Sequence, residues 1–254
     1  MIPLIQAAIV AVFLGTWQML SPALGLQFFF ATPLAVFQSL WALMKSGLLF
    51  YHAGITSLEA VAGFLLGGTL GMGIGILLGR HQLLAKVLAP FLTAIYSLPK
   101  AALAPLFILW FGIGIDMKIF LAGSIVFFLV FLNTFHGVRE VSHEQIAILR
   151  LMKANERHLL TKVIIPSAIV WVFAGLRLSV PYALIGAILG EIIAANRGLG
   201  FLISSAAGRF DTAGTFAALI AIMFLALVLN RAITFAEGRL MPWRAAEEGR
   251  EVPI

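Results

Sequence analysis

The sequence predicts an all-α membrane protein that crosses the bilayer six times. Of its 254 residues, 61% are hydrophobic and only 11% are charged, whereas soluble domains contain about 25% charged residues. Charged residues are absent from long runs at residues 1–44, 60–79, 119–138 and 212–230. Because a helix needs about 20 apolar residues to cross the hydrocarbon core of a bilayer, these runs predict membrane spans along the whole chain.

Six helical segments account for the hydropathy. Their cores are expected near residues 2–20, 55–79, 88–111, 118–137, 167–194 and 212–235. Lys100 and Arg177 interrupt the third and fifth, which are predicted from their length and flanking turns. Residues 1–254 are expected to form a single transmembrane domain.

The positions of lysine and arginine predict the orientation. With the N-terminus inside the cell, eleven of these residues fall in cytoplasmic connections and four in outer ones. The inner set is Arg80, Lys86, Arg139, Arg150, Lys153, Arg157, Lys162, Arg231, Arg239, Arg244 and Arg250; the outer set is Lys45, Lys118, Arg197 and Arg209. Cytoplasmic loops carry an excess of positive residues, so both termini are predicted to be cytoplasmic.

The first connection contains a helix of its own. Thr32 and Pro33 have the residue types typical of an N-cap and the first helical position. Apolar residues then recur at helical spacing, at Leu34, Phe37, Leu40, Trp41 and Met44. This pattern predicts an interfacial helix on the outer leaflet, and an extension of a membrane span is the alternative.

Glycine recurs at every fourth position of the second predicted span, at residues 63, 67, 71, 75 and 79. Such a row lets another helix approach closely, because van der Waals contact holds helices together in lipid. Packing within one subunit is the favoured interpretation, and a subunit interface is the alternative.

Residues 139–166, here called the elbow, form the densest charged segment inside the chain. Eight of the 28 charged residues lie between Arg139 and Lys162. Apolar residues alternate with them, as in a pair of amphipathic helices on a cytoplasmic surface, before Pro166 starts the next span. The elbow is either a surface that a partner binds or a solvated loop.

Several classes of chemistry are excluded by the sequence. The chain has no cysteine and no HExxH motif, and its five histidines lack metal-ligand spacing. No glycine precedes a lysine, so a P-loop is absent and any ATP must bind to another polypeptide. The chain is therefore not expected to be an enzyme or to hold a metal. The net charge of +6 is attributed to the cytoplasmic loops rather than to nucleic-acid binding.

A set of separated segments along the chain forms a recognisable pattern. The first two are Ser97-Leu-Pro-Lys-Ala-Ala-Leu-Ala-Pro-Leu-Phe-Ile-Leu-Trp-Phe-Gly-Ile-Gly114 and Leu132-Asn-Thr-Phe-His-Gly-Val-Arg139. The others are Lys118, residues 164–166, 174–177 and 183–186, Glu191 and residues 198–203. In this order the segments resemble the permease subunits of ABC importers in the nitrate, sulfonate and taurine branch, and the resemblance covers about residues 32–235.

The resemblance implies a type I importer permease fold in a bacterial inner membrane. It also implies three kinds of partner: a second permease copy, most simply in a homodimer, two cytoplasmic ATPases and an extracytoplasmic binding protein. ATP and magnesium would be held by the ATPases, with no cofactor in this chain. The expected cargo is a small, anionic solute of the nitrate, sulfonate or taurine class, although the binding protein selects it.

In that family the elbow carries a motif whose coupling helix contacts the ATPase. Aligned from Pro166, the motif places the coupling contact at Lys153, Ala154, Asn155, Glu156 and Arg157. The chain departs from the family pattern twice: Lys153 replaces the usual glycine, and Ala147 replaces the usual glutamate, with Glu144 one helical turn earlier.

Three ionisable residues inside or near spans are candidates for the translocation path: Lys100, Arg177 and Glu191. A charge at the centre of a lipid-facing helix costs about 2.5–3.5 kcal/mol on the insertion scale, so these side chains should face protein or water. In the structural alternative, Lys100 and Arg177 bind backbone carbonyls or snorkel, and Glu191 caps an outer helix end or pairs with Arg197. The structural alternative is favoured for Arg177 and Glu191. For Lys100, a cation in the path is favoured.

An ATP-independent secondary transporter or channel is the competing function. Secondary transporters usually show paired halves with broken helices, and they do not need a cytoplasmic segment as long as the elbow, residues 139–166. The elbow therefore favours the importer.

Overall fold

The computed structural model describes residues 2–26 and 28–240, and regular secondary structure within these ranges is helical. The helices are α1 (Ile2–Ala23), α2 (Pro33–Lys45), α3 (Leu48–Arg80), α4 (Gln82–Ser97), α5 (Ala104–Phe111), α6 (Ile115–Arg139), α7 (His143–Leu151), α8 (Glu156–Leu159), α9 (Ile165–Ala194), α10 (Leu199–Gly208) and α11 (Thr212–Leu240). A 3₁₀ turn (Lys100–Leu103) precedes α5, and a π-helical turn (Leu160–Ile164) joins α8 to α9. Arg244 and Arg250, which enter the orientation count, lie outside the described residues.

Five helical segments of the described chain are long and apolar enough to cross a membrane. They are most of α1, then α3, α6, the continuous helix from Glu156 to Ala194, and α11. Helices α4 and α5 are bent by 85° relative to each other and give a sixth span when the pair is counted as one. The predicted all-α architecture with six spans is confirmed on that count.

The bend between α4 and α5 differs from the single helix expected over residues 88–111. Leu98 leaves the helical conformation, with ψ 130°, and Pro99 follows it. Proline has no backbone N–H to continue the helix, and its ring disfavours helical backbone at the preceding residue. The apolar sequence continues across this point, so hydropathy does not reveal the break.

Contacts divide the chain into two units, and the larger comprises Leu58–Ala187 together with the part of α11 from Ala226. Helix α6 lies at its centre, with Leu121, Val126 and Phe131 buried. The glycine row of α3 lies against α6. A Cβ added at Gly71 would lie 3.0 Å from the Phe131 nitrogen, and one at Gly75 would lie 2.7 Å from the Thr134 Cβ. The favoured interpretation of the row, close packing within one chain, is confirmed.

Helix α9 packs on α6 in the same way. A Cβ at Gly175 would lie 2.9 Å from the Asn133 Cβ, and one at Gly186 would lie 3.0 Å from the Ala122 nitrogen. Gly137 of α6 leaves room for the Trp171 side chain of α9. Small residues thus bring both helices against α6, as is usual for helix packing in membranes.

The second unit runs to Ser57 and resumes at Ile188–Leu225. Its buried apolar cluster contains Ala31, Val36 and Ala217. The Thr32 hydroxyl accepts a hydrogen bond from the Ala35 nitrogen at 3.3 Å, which confirms the predicted N-cap of α2. Helix α1 has exposed apolar side chains along its length, as suits a helix that faces lipid.

Candidate functional site

The elbow forms a compact turn between α7 and α8. The Ser142 hydroxyl caps the N-terminus of α7 by accepting from the Gln145 nitrogen at 3.3 Å. At the other end of α7, the Lys153 nitrogen donates to the Arg150 carbonyl at 2.9 Å, and the Ala154 nitrogen donates to the Leu149 carbonyl at 3.0 Å. This pair of bonds is a Schellman motif, which satisfies the last carbonyls of a helix.

Lys153 occupies the position of this motif that requires left-handed backbone, with φ 57°. Glycine is the usual residue there because it has no Cβ to clash in that conformation. The structure therefore gives the physical reason for the glycine that the family pattern implies at position 153. Lys153 preserves the turn and its two hydrogen bonds despite the substitution.

The next residues start α8. The Asn155 side chain accepts from the His158 nitrogen at 2.9 Å and so caps the helix. The Glu156 carboxylate accepts a hydrogen bond from Arg80 at 2.9 Å, and its other oxygen lies 3.9 Å from Arg150. These contacts link the first turn of α8 to the end of α3 and to α7.

The five predicted coupling residues, Lys153 to Arg157, are therefore contiguous in space. Four of them are exposed and Ala154 is half-buried. The Arg157 carbonyl accepts from the Thr161 hydroxyl at 2.8 Å, while its side chain lies at the surface.

Beside this turn the elbow exposes three large apolar side chains, of which the sequence pattern indicated Leu151 but not Ile148 or Met152. Leu151 is 84% exposed, Met152 73% and Ile148 57%. The other side of the elbow is anchored, since Leu159 and Ile164 are buried and Ile164 packs with Val138 and Ala168. A hydrogen-bonded turn thus presents an apolar surface rimmed by charge, which is the composition of a protein-binding site.

Lys100 lies at the bend between α4 and α5. Its ammonium group donates to the carbonyls of Ile95, Tyr96 and Leu98 at 2.5, 3.1 and 3.0 Å. It also lies 4.4 Å from the centroid of the Phe128 ring. The cation thus binds carbonyls at the C-terminal end of α4 and in the bend that follows it, where the helix dipole favours positive charge.

Arg177 and Glu237 form an ion pair that links α9 to α11. Glu237 is buried, whereas the Arg177 side chain is partly exposed. Pairing of this kind removes much of the cost of a charge inside the membrane. The pair was not predicted, because Glu237 lies 60 residues along the chain from Arg177.

Glu191 is fully buried and caps α10. It accepts from the Gly200 nitrogen at 2.6 Å and from the Thr56 hydroxyl at 2.6 Å. The Leu199 nitrogen donates to the Thr56 hydroxyl at 2.8 Å. Glu191 thus holds the start of α10 against α3.

A buried pair of opposite charges was also missed from the sequence. Lys118 of α6 lies 3.7 Å from Glu59 of α3, and both side chains are almost completely buried. The sequence did contain a signal for this pair, because Glu59 and Lys118 each lie directly before a charge-free run, at residues 60–79 and 119–138. Over the residues that the structure describes, no group of three histidine, cysteine, aspartate or glutamate side chains could hold a metal ion.

Comparison with protein families gives one match over most of the chain. Residues 67–242 match the family described as binding-protein-dependent transport system inner membrane component. The matched region includes the glycine row from Gly67 onward, the bend, the elbow and the three path candidates.

Several named proteins are similar along most of their length. A Bacillus subtilis protein named as an aliphatic sulfonates transport permease is 33% identical over 94% of this chain and 87% of its own. The riboflavin transport system permease protein of Chloroflexus aurantiacus is 35% identical over 86% of this chain and 82% of its own. The formylaminopyrimidine transport permease protein of Halalkalibacterium halodurans is 30% identical over 90% of this chain and 91% of its own.

Among solved structures, the fold is similar to a chain of the MetNI methionine ABC transporter in an inward-facing conformation. The TM-score is 0.66, with 18% sequence identity over 78% of this chain and 96% of that one. At this identity the likeness establishes a shared fold.

Proposed function

Because the chain belongs to the family of binding-protein-dependent transport system inner membrane components, we propose that its elbow transmits the movement of a separate ATPase to the translocation path. The chain is a multi-pass permease subunit of an ABC transporter in the inner membrane, and it is not an enzyme. ATP hydrolysis belongs to another subunit. Family membership also removes the alternative of an ATP-independent transporter or channel.

The surface formed by Ile148, Leu151 and Met152 carries this proposal. A hydrogen-bonded turn that exposes three large apolar side chains is suited to a partner that covers them. Lys153 to Arg157 lie beside the surface and supply charged contacts at its rim. A polar rim around an apolar centre is the usual anatomy of a protein interface.

The proposed complex contains two copies of this chain, two ATPases and an extracytoplasmic binding protein. The ATPases hold ATP and magnesium. ATP must bind one global state of the complex more tightly than the other, since a ligand with equal affinity for both shifts nothing. The elbow is the proposed place where that difference in affinity reaches the membrane helices.

The solute is proposed to be small and anionic, of the nitrate, sulfonate or taurine class. The relative named for aliphatic sulfonates supports this class. Other relatives are named for riboflavin and for formylaminopyrimidine, so similar permeases are named for solutes outside this class as well. Uptake of labelled solutes with the cognate binding protein tests the class directly.

The three path candidates, Lys100, Arg177 and Glu191, are proposed to have different roles. Arg177 and Glu191 position helices through their contacts with Glu237 and with Gly200 and Thr56. Lys100 is proposed as a path-lining cation that also holds the bend. Lys100→Met should lower uptake of an anionic solute without loss of assembly, and unchanged uptake would remove Lys100 from the path.

Co-purification tests the proposed docking surface. The variant Leu151→Asp places a charge at the centre of the apolar surface, so we expect the ATPase to be lost from the tagged chain purified in mild detergent. Phe210→Asp is the matched control: Phe210 is also exposed, at 72%, and lies outside the elbow. Its φ of 58° is tolerated by aspartate. Retention of the ATPase by Leu151→Asp, or its equal loss from both variants, would contradict the proposal.

A further inference from the structure

A cavity of about 730 Å³ lies among the ends of α3, α4 and α6 and the inner side of the elbow. Its polar lining comes from Arg80, His81, Arg139, Arg150 and Glu156. Apolar lining includes Leu83 and Leu84. The cavity is separate from Lys100, Arg177 and Glu191, none of which lines it.

The charges around the cavity are unbalanced. One carboxylate, that of Glu156, faces three guanidinium groups. Glu156 binds Arg80 at 2.9 Å and lies 3.9 Å from Arg150. Arg139 contacts the Phe135 ring, at 5.4 Å from its centroid. Two positive charges therefore remain in excess in a partly enclosed space, which favours an anion.

The N-terminus of α4 adds to this field. Helix α4 has 16 residues and begins at the cavity wall, with His81 as its N-cap. The His81 side chain makes no capping hydrogen bond. First-turn N–H groups have no partner within their own helix, and the helix dipole attracts negative charge to this end. The arginines and the helix end thus favour the same kind of ligand.

The cavity and the docking surface lie on opposite sides of α7. Ile146 and Arg150 line the cavity and are four residues apart, so they share one face of the helix. At about 100° per residue, Ile148 projects to the opposite face and Leu151 to the flank between the two faces, and neither lines the cavity. Occupancy of the cavity is therefore compatible with a partner on the exposed apolar surface.

We propose that this cavity binds the phosphate headgroup of an anionic phospholipid. Arginine binds phosphate oxygens in a bidentate manner, and basic pockets between the ends of membrane helices are suited to acidic headgroups. The exposed side chains of Leu83 and Leu84, 76% and 46% exposed, provide apolar surface next to the charged wall for the start of an acyl chain. This combination favours a lipid over a free anion.

Lipid binding to the purified full chain, without ATPase, tests the proposal independently of coupling. Phosphatidylglycerol, phosphatidylcholine and inorganic phosphate are titrated separately against the detergent-solubilised protein, with bound lipid counted by native mass spectrometry. The test variant is Arg139→Gln with Arg150→Gln, which leaves the Arg80 to Glu156 pair in place. The matched control is Arg209→Gln with Lys45→Gln, which removes two charges outside the cavity.

We expect phosphatidylglycerol to bind at least ten-fold more tightly than phosphatidylcholine, with that preference lost in the Arg139 and Arg150 variant and kept in the control. Equal binding of the two lipids, or an unchanged preference in the test variant, would overturn the proposal. Inorganic phosphate that binds as tightly as phosphatidylglycerol would overturn the assignment to a lipid.

Discussion

Lys153 adopts a backbone conformation that is unfavourable for its residue type. Left-handed helical backbone costs a residue with a Cβ about 1–2 kcal/mol, and the φ of 57° at Lys153 lies in that region. The Schellman hydrogen bonds of Lys153 and Ala154 hold it there. The elbow therefore keeps the turn of its family with a residue that does not favour it.

Lys153→Gly is expected to stabilise the protein. Glycine removes the Cβ clash, although its greater freedom in the unfolded chain offsets part of the gain, so the net increase should be about 0.5–1 kcal/mol. Thermal unfolding in detergent measures it. Lys153→Ala is the control, since it removes the charge but keeps the Cβ and should give no gain. A lower melting temperature for Lys153→Gly would show that the lysine side chain makes a net stabilising contribution.

The sequence identified individual charged residues better than their partners. Lys100, Arg177 and Glu191 stand out because each interrupts apolar sequence. Their contacts depend on which helices meet, and that information is not local. Glu237 and Glu59 were missed for this reason, although each binds a cation on another helix.

At the level of helices, the packing of α3 on α6 depends on glycine at particular positions. A Cβ at Gly67 would lie 2.9 Å from the Phe127 nitrogen and closer still to the Gly123 carbonyl, so backbone would have to move. Gly73 lies on the same helix, and a Cβ there would meet nothing within 4 Å. These two positions form a matched pair.

Gly67→Ala is expected to destabilise the protein by about 1–3 kcal/mol, the usual range for an overpacked interface. Gly73→Ala should be neutral or slightly stabilising, because alanine favours helix. Melting temperatures of the two variants in the same detergent measure the difference. Equal melting temperatures would mean that α3 and α6 are not in close contact.

The helices that the sequence predicted best are those with uninterrupted apolar runs. Helices α3, α6 and α11 contain the charge-free segments and extend beyond them, α3 at its start and α11 at its end, and α2 begins at its predicted cap. The bend at Pro99 was missed because hydropathy averages over it. Helix α10 was missed because ten residues are too few to span a bilayer. The helical pair of the elbow was predicted from its alternating pattern, whereas the Schellman turn that shapes it depends on backbone geometry.

For the whole molecule, the orientation is a proposal that follows from the distribution of positive charge. The sequence contains no cysteine, so a single introduced cysteine reports its own position. We expect a membrane-impermeant thiol reagent to label Arg209→Cys in intact cells and to label Gln145→Cys only after the membrane is opened. Both positions are exposed. Labelling of Gln145→Cys in intact cells would show that the elbow lies outside the cell and that the predicted orientation is wrong.

The central claim is that the elbow couples a separate ATPase to transport. The most direct measurement is ATP-driven uptake by the assembled transporter in vesicles, with Glu156 and Arg157 exchanged as Glu156→Arg and Arg157→Glu. The exchange conserves net charge but brings an arginine to Arg80 and Arg150, where a carboxylate now binds. We predict a folded protein whose uptake no longer responds to ATP. Normal ATP-driven uptake in this variant would contradict the account.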